Sequence, residues 1–246
     1  NFGNILAAWY AKQMGTPIDK LICASNENRI LTDFIESGIY DISEREFILT
    51  PSPSMDILIS SNLERQLFEL SGRNAEQISA WMQDLKDTKC FQVNEECKQA
   101  MSQNYLCGSI DSQTCLDTIK DVFEKRGYLI DTHTAVAYKI AEDLKSDKPV
   151  LVASTAHWAK FGKNVYKALN DIGVSEPLPT SVANITDCQL NKLIQEQARE
   201  LKETSNSYSL EIPKNLKDLD NKPFRFTKNL EADTASVEQA IREFLV

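Results

Sequence analysis

The chain has 246 residues, 42% of them hydrophobic and 26% charged, which is enough apolar material for one sizeable core or two small ones and too much for a disordered chain. Its formal charge of −9, with 27 Lys and Arg interleaved among 36 Asp and Glu, argues against a nucleic-acid surface, which needs clustered basic residues. No apolar run approaches the ~20 residues that cross a bilayer, so no membrane partner is expected. The six cysteines (Cys23, Cys90, Cys97, Cys107, Cys115, Cys188) form no C-x-x-C pair and stand mostly apart from His133 and His157. Neither a metal site nor a disulfide framework is expected, and reduced thiols in a cytoplasmic protein are.

In chain order, Asn1-Phe2-Gly3-Asn4 leads directly into a helix that pairs Ile5 with Trp9 and Leu6 with Tyr10, and that stops at Gly15 with Pro17 beyond. Ile18 to Ala24 reads as a strand with Cys23 buried in it. Ser25-Asn26-Glu27-Asn28 offers caps for a helix from Arg29 to Glu36, closed by Gly38. After the turn Pro51-Ser52-Pro53, Ile57-Leu58-Ile59 reads as a second strand, and Asn62 as the cap of a helix to Ser71. Residues 75–110 hold one helix, Ala75 to Lys86, and a polar, cysteine-bearing stretch that reads as a surface insertion.

Asp111 caps a helix with Leu116, Ile119 and Phe123 on one face, ended by Gly127. Tyr128-Leu129-Ile130 then enters Asp131-Thr132-His133-Thr134 and a helix to Leu144. Val150 to Ser154 is apolar on both faces, as in the middle of a covered parallel sheet. Phe161, Val165 and Leu169 mark a returning helix, and Leu190, Ile194, Ala198 and Leu201 a long one from Asp187. Residues 206–229 read as irregular, before a short terminal helix from Ser236 to Leu245. The class is α/β, a mostly parallel twisted sheet flanked by helices, in which ligands sit at the carboxyl ends of strands.

Four polar clusters carry candidate chemistry. Asn1, Phe2, Gly3 and Asn4 make a short turn at a helix start, where backbone N–H groups and the helix dipole can seat a phosphate; the alternative is an ordinary capped helix. Ser60, Ser61, Asn62 and Arg65 can hold a carboxylate or phosphate, Arg65 in bidentate fashion; the alternative is an Asn62 cap and an Arg65–Glu69 pair. His133 and His157 follow strand ends, where an imidazole can bind phosphate, move a proton, cap or pack. Ser154 and Thr155 offer hydroxyls at another strand end, or merely cap the next helix.

Taken in order, Asn1 to Asn4, Ser54 to Arg65, Asp131 to Ala137 and Ser154 to Phe161 make the chain resemble the C-terminal part of the threonine synthases. These are fold-type-II pyridoxal-phosphate enzymes built like the tryptophan-synthase β chain. The likeness runs from Asn1 to Phe161 and weakens beyond about Leu178. Thr132, Ala137 and Trp158 depart from it, standing where the family usually has proline, glycine and proline. The resemblance implies conversion of O-phospho-L-homoserine and water to L-threonine and phosphate. It places the cofactor phosphate on Asn1 to Asn4, and Thr155 or Ser154 against the pyridine nitrogen. It also implies that the large, cofactor-binding domain is at hand, and that the cofactor-anchoring lysine lies upstream in an N-terminal domain that closes over the site. Lys160, past the ring-nitrogen position, is not cast as that lysine, so this chain by itself is expected to be inactive. A hydroxy-amino-acid dehydratase and a non-catalytic threonine-synthase-like protein are the alternatives.

Overall fold

A parallel strand pair stands between two apolar cores and sets the geometry of everything around it. A computed structural model describes residues 2–201, 210–223 and 229–245. The first half runs α1 (Gly3–Gln13), β1 (Leu21–Ser25), α2 (Ile30–Ser37), β2 (Ile39–Asp41), α3 (Leu63–Leu70), α4 (Ala75–Thr88), β3 (Cys90–Gln92), α5 (Glu95–Asn104) and β4 (Tyr105–Ser109). The second half is helical: α6 (Ser112–Arg126), α7 (Thr132–Asp143), α8 (Gly162–Leu169), α9 (Thr180–Ala183) and α10 (Asp187–Leu201), then a helical turn Lys214–Lys217 and a terminal helix Thr234–Phe244.

β1 pairs with β4 in parallel, Leu21 opposite Tyr105 and Ser25 opposite Ser109. Because side chains alternate along a strand, Leu21 and Cys23 enter one core, with Phe34, Tyr40, Leu67 and Phe91, while Ile22 and Ala24 pack on the other, with Ile119, Val136, Val165 and Ile194. That two-sided burial is why the strand reads as a continuous apolar run. β2 and β3 form a separate antiparallel pair whose Tyr40 and Phe91 rings stack at 5.3 Å.

Local signals set several boundaries. The Asp111 carboxylate accepts the Thr114 amide at 2.7 Å and Asp131 accepts that of His133 at 2.8 Å, each cap worth about 1 kcal/mol. α2 and α6 end on Gly38 and Gly127 at φ 78° and 64°, backbone angles that disfavour any residue with a Cβ.

Three expectations are corrected. Residues 57–59 and 150–154 are not strands: Ile59 is 60% exposed and Leu151 97% exposed, and among the described residues neither run has a ladder partner. An apolar run becomes a strand only when a neighbour takes its N–H and C=O groups. The parallel sheet among the described residues is therefore the single β1–β4 pair. Residues 75–110 are not a surface insertion, since they supply β3, α5 and β4 and bury Phe91, Val93, Cys97, Met101 and Tyr105 in the first core. In the tail, Leu210 and Ile212 are buried in the second core, while residues 206–209 and 224–228 lie outside the described residues. No helix of the described residues is long and apolar enough to cross a membrane.

Candidate functional site

α1 opens without a side-chain cap. Its N-cap, Phe2, holds the left-handed conformation at φ 59°, which costs a non-glycine residue roughly 1–2 kcal/mol. The ring offsets this by burial: Phe2 is 4% exposed and lies 5.7 Å from the Tyr105 ring. The sharp turn frees the first backbone N–H groups of α1 at its positive end. A Cβ built on Gly3 would stand 3.6 Å from Asn62 Nδ2, so the start of α1 and the start of α3 face each other. Asn4 is exposed at this turn, and Asn1 lies outside the described residues.

The lead-in to α3 is a strap of irregular chain fixed at three points. At its base, Asn26 Nδ2 donates to Thr50 Oγ1, Asp56 Oδ1 and Ser52 Oγ at 2.8, 2.8 and 2.9 Å, and Asn28 Nδ2 reaches Asp56 Oδ1 at 3.0 Å. Asn26 and Asn28, expected as caps of α2, serve this strap instead; α2 has no side-chain cap bond. At its far end the Tyr40 hydroxyl donates to the Leu58 carbonyl at 2.8 Å and accepts the Ser60 amide at 3.0 Å. In its middle, the Ser54 amide donates to His133 Nε2 at 3.0 Å. The strap delivers Ser60 with its hydroxyl buried and without a partner among the described residues, an orphaned donor and acceptor at the mouth of α3. Ser61 follows, exposed, and Asn62 Oδ1 accepts Arg65 Nη1 at 3.0 Å. The alternative Arg65–Glu69 pair is not formed: Glu69 instead takes Arg73 at 3.1 Å and the Tyr10 hydroxyl at 3.3 Å.

Asp131 and His133 form a buried cluster at the head of α7, 1% and 6% exposed. Burial alone would raise the Asp131 carboxyl, but hydrogen bonds from His133 and Thr134 more than offset it and hold it below the usual range. Ser154 Oγ lies 3.1 Å from Thr134 Oγ1, which joins the fourth motif to the third. Thr155, next to it, is exposed, and no described residue takes its hydrogen bond. His157 Nδ1 accepts the Ala159 amide at 3.2 Å, capping the turn Trp158–Lys160, and the ring also bonds the backbone of Glu211. Burial lowers its pKa, so the neutral form is favoured. Asn191 of α10, 3% exposed, donates to the Ala159 carbonyl at 2.8 Å and pins the same turn.

Motif meets motif in sequence: Gly3 with Asn62, the Ser54–Asn62 strap with His133, and Thr134 with Ser154. The arrangement presents uncapped amides, a buried free hydroxyl and exposed hydroxyls, which is chemistry suited to binding an anionic ligand. Four structural residues were not anticipated. Tyr40 lies in a short apolar run and Asn191 in a helix rich in polar residues, and neither carries a local signal for its particular duty. Asn26 and Asn28 stand in a polar string at a strand end, which could have marked them.

Comparison with known proteins shows what the chain is similar to. A family model described as "Threonine synthase, C-terminal" matches residues 134–204. Threonine synthase-like 1 of Macaca fascicularis is 44% identical over 178 residues, covering 72% of this chain and 24% of that protein. The crystal structure of threonine synthase from yeast superposes with a TM-score of 0.73 at 33% identity, over 99% of this chain and 45% of that one. A PLP-bound threonine synthase from Brucella melitensis gives 0.65 at 38% identity, over 81% and 44%. The chain thus spans about a quarter of the length of its curated relative and under half of each solved structure. By sequence and by fold, the chain is related to the C-terminal part of the threonine synthases, pyridoxal-phosphate enzymes of fold type II.

Proposed function

We propose that the chain forms the cofactor-binding floor of an enzyme converting O-phospho-L-homoserine and water to L-threonine and phosphate. The observation that carries this is the meeting of the uncapped head of α1 with Asn62 beside the orphaned hydroxyl of Ser60. These groups fit pyridoxal phosphate. The amides at Gly3 and Asn4, beside Phe2 and following Asn1 in sequence, would hold its phosphate. Thr155, or Ser154 beside it, would offer a neutral hydroxyl to the pyridine nitrogen. Such a partner suits a ring nitrogen left without a proton. When bound, the cofactor serves as the electron sink for carbanion chemistry.

The rest of the work falls to this chain's side chains. Ser60, Ser61, Asn62 and Arg65 would orient the substrate's carboxylate or phosphate, and Ser60 has a hydroxyl ready for it. His133 and His157 stand at the same edge with their ring nitrogens engaged by the protein, so they shape the site. A domain closing over these groups, in cis and upstream, would exclude water. A cytoplasmic setting fits the free thiols of all six cysteines.

The match to threonine synthase-like 1 favours a second reading, a threonine-synthase-like protein without this turnover. The test is release of inorganic phosphate together with threonine from O-phosphohomoserine by the cofactor-loaded full-length protein, with the lysine-bearing upstream domain in place, beside its Thr155→Ala variant. Loss of one hydroxyl partner is worth on the order of 1–3 kcal/mol, so Thr155→Ala should slow turnover by roughly 5- to 150-fold with an unchanged melting midpoint. Cofactor binding without phosphate release would favour the second reading, and formation of a keto acid a dehydratase.

A further inference from the structure

We propose that His133 is a positioning residue: as a neutral imidazole carrying its proton on Nδ1, it ties the Ser54 strap, the head of α7 and the head of α8 together and so fixes Ser60–Asn62 relative to Ser154 and Thr155. This rests on the assignment of those residues to one binding site. The ring has no surface left for a ligand, being 6% exposed. Its Nε2 faces the Ser54 backbone amide at 3.0 Å. An amide N–H can only donate there, so Nε2 must present its lone pair. The ring proton of the neutral imidazole then sits on Nδ1, and its surroundings are built to receive it: Thr132 Oγ1 and Asp131 Oδ1 each stand 3.3 Å away. The same Asp131 oxygen already orients the His133 backbone, accepting its amide at 2.8 Å. On its third side the imidazole packs against Phe161, centroids 4.6 Å apart, at the N-cap of α8 and the end of the Ser154–Phe161 motif.

Three of the four motif segments therefore converge on one side chain. The strap they hold is irregular chain without a ladder of its own, so its register depends on such fastenings at its middle and its ends. The Tyr40 anchor lies in the first core, whereas His133 belongs to α7, whose Ala135, Val136 and Ile140 pack in the second, so His133 couples the two halves of the site across the cores. A residue in this position acts through Ser60 and Ser154 without touching substrate itself.

The experiment uses the 246-residue chain, labelled with ¹⁵N, and two variants. His133→Phe keeps ring volume and the Phe161 contact but cannot accept the Ser54 amide; His133→Gln restores a carbonyl acceptor and an N–H donor. In wild type, long-range ¹H–¹⁵N correlations of the imidazole should show a protonated Nδ1 and a bare Nε2. Amide exchange at Ser54 and at Ser60 should speed up at least tenfold in His133→Phe and return most of the way to wild type in His133→Gln. A protonated Nε2 in wild type overturns the proposal, and that measurement needs no variant to fold. Unchanged exchange in His133→Phe, or faster exchange at Ser54 with none at Ser60, overturns it as well. None of these readouts requires a cofactor, so they separate this proposal from the cofactor assignment.

Discussion

Replacing Tyr40 by Phe isolates one oxygen atom on which the delivery of Ser60 depends. The hydroxyl bridges the Leu58 carbonyl, at 2.8 Å, and the Ser60 amide, at 3.0 Å, while its ring stacks on Phe91 and meets Phe34 edge-on at 5.5 Å. Phe preserves both ring contacts, so the loss is confined to the two hydrogen bonds. Leu58 is half-buried and its carbonyl can turn to water, but Ser60 is 8% exposed and its amide would be stranded. A stranded buried donor costs about 1–3 kcal/mol. In a chain of this size each kcal/mol lowers the melting midpoint by roughly 2–4 °C, so Tyr40→Phe should melt about 2–12 °C below wild type. The second signature is alkaline. Burial pushes the Tyr40 phenol up to about 12, against roughly 10 when unfolded. A raised folded value means this stabilisation is complete below pH ~10 and lost as pH climbs toward 12. Melts recorded from pH 7 to 11.5 should therefore show wild type converging on the variant at the alkaline end. A variant melting within 1 °C of wild type at pH 7, with Ser60 amide exchange unchanged, would refute the claim that Tyr40 holds the strap.

Three further outcomes follow from the same geometry. Gly162→Ala places a methyl 2.6 Å from Asn191 Oδ1, and Asn191 is buried and tethered to Ala159, so the turn Trp158–Lys160 must give way; chemical denaturation should show a loss of about 1–3 kcal/mol, and a wild-type-like midpoint would show that Asn191 yields freely. Burial depresses His157, so its contribution is present above the unfolded value of about 6.5 and lost as pH falls below it; His157→Gln should flatten the stability curve between pH 7 and 5, and an unaltered slope would count against the buried, neutral imidazole. Cys23 and Cys115, both pushed up to about 12 by burial, should resist alkylation by iodoacetamide at pH 8 in the folded chain and react on unfolding; rapid labelling of either in native conditions would mean that its core opens.

Much of the fold is set by short-range chemistry. Asp111 and Asp131 stop the chain and start helices because a carboxylate accepts amides two or three residues ahead, and Gly38 and Gly127 end helices because they relax where a side chain would clash. The helical faces of α6, α8 and α10 follow from period, and β1 from an apolar run buried on both sides. The order of the four motifs was likewise enough to name the family. What period and capping could not supply was the partner. Ile57–Ile59 and Val150–Ser154 carry strand-forming residues, yet a strand exists only where a neighbouring ladder takes its amides, and these runs have none among the described residues. Residues 90–109 look polar because their buried side chains are spread over a short strand, a helix and another strand, each too brief to show a period. For His133 the sequence left ligand binding, proton transfer, capping and packing all open, and only the fold placed the Ser54 amide, 79 positions away in sequence, against its Nε2. Sequence by itself determined which residues can cap, turn, bury and bind, because those properties belong to single side chains and their near neighbours; only the tertiary structure decided which polar groups are already satisfied by the protein, because that depends on contacts between residues far apart in the chain.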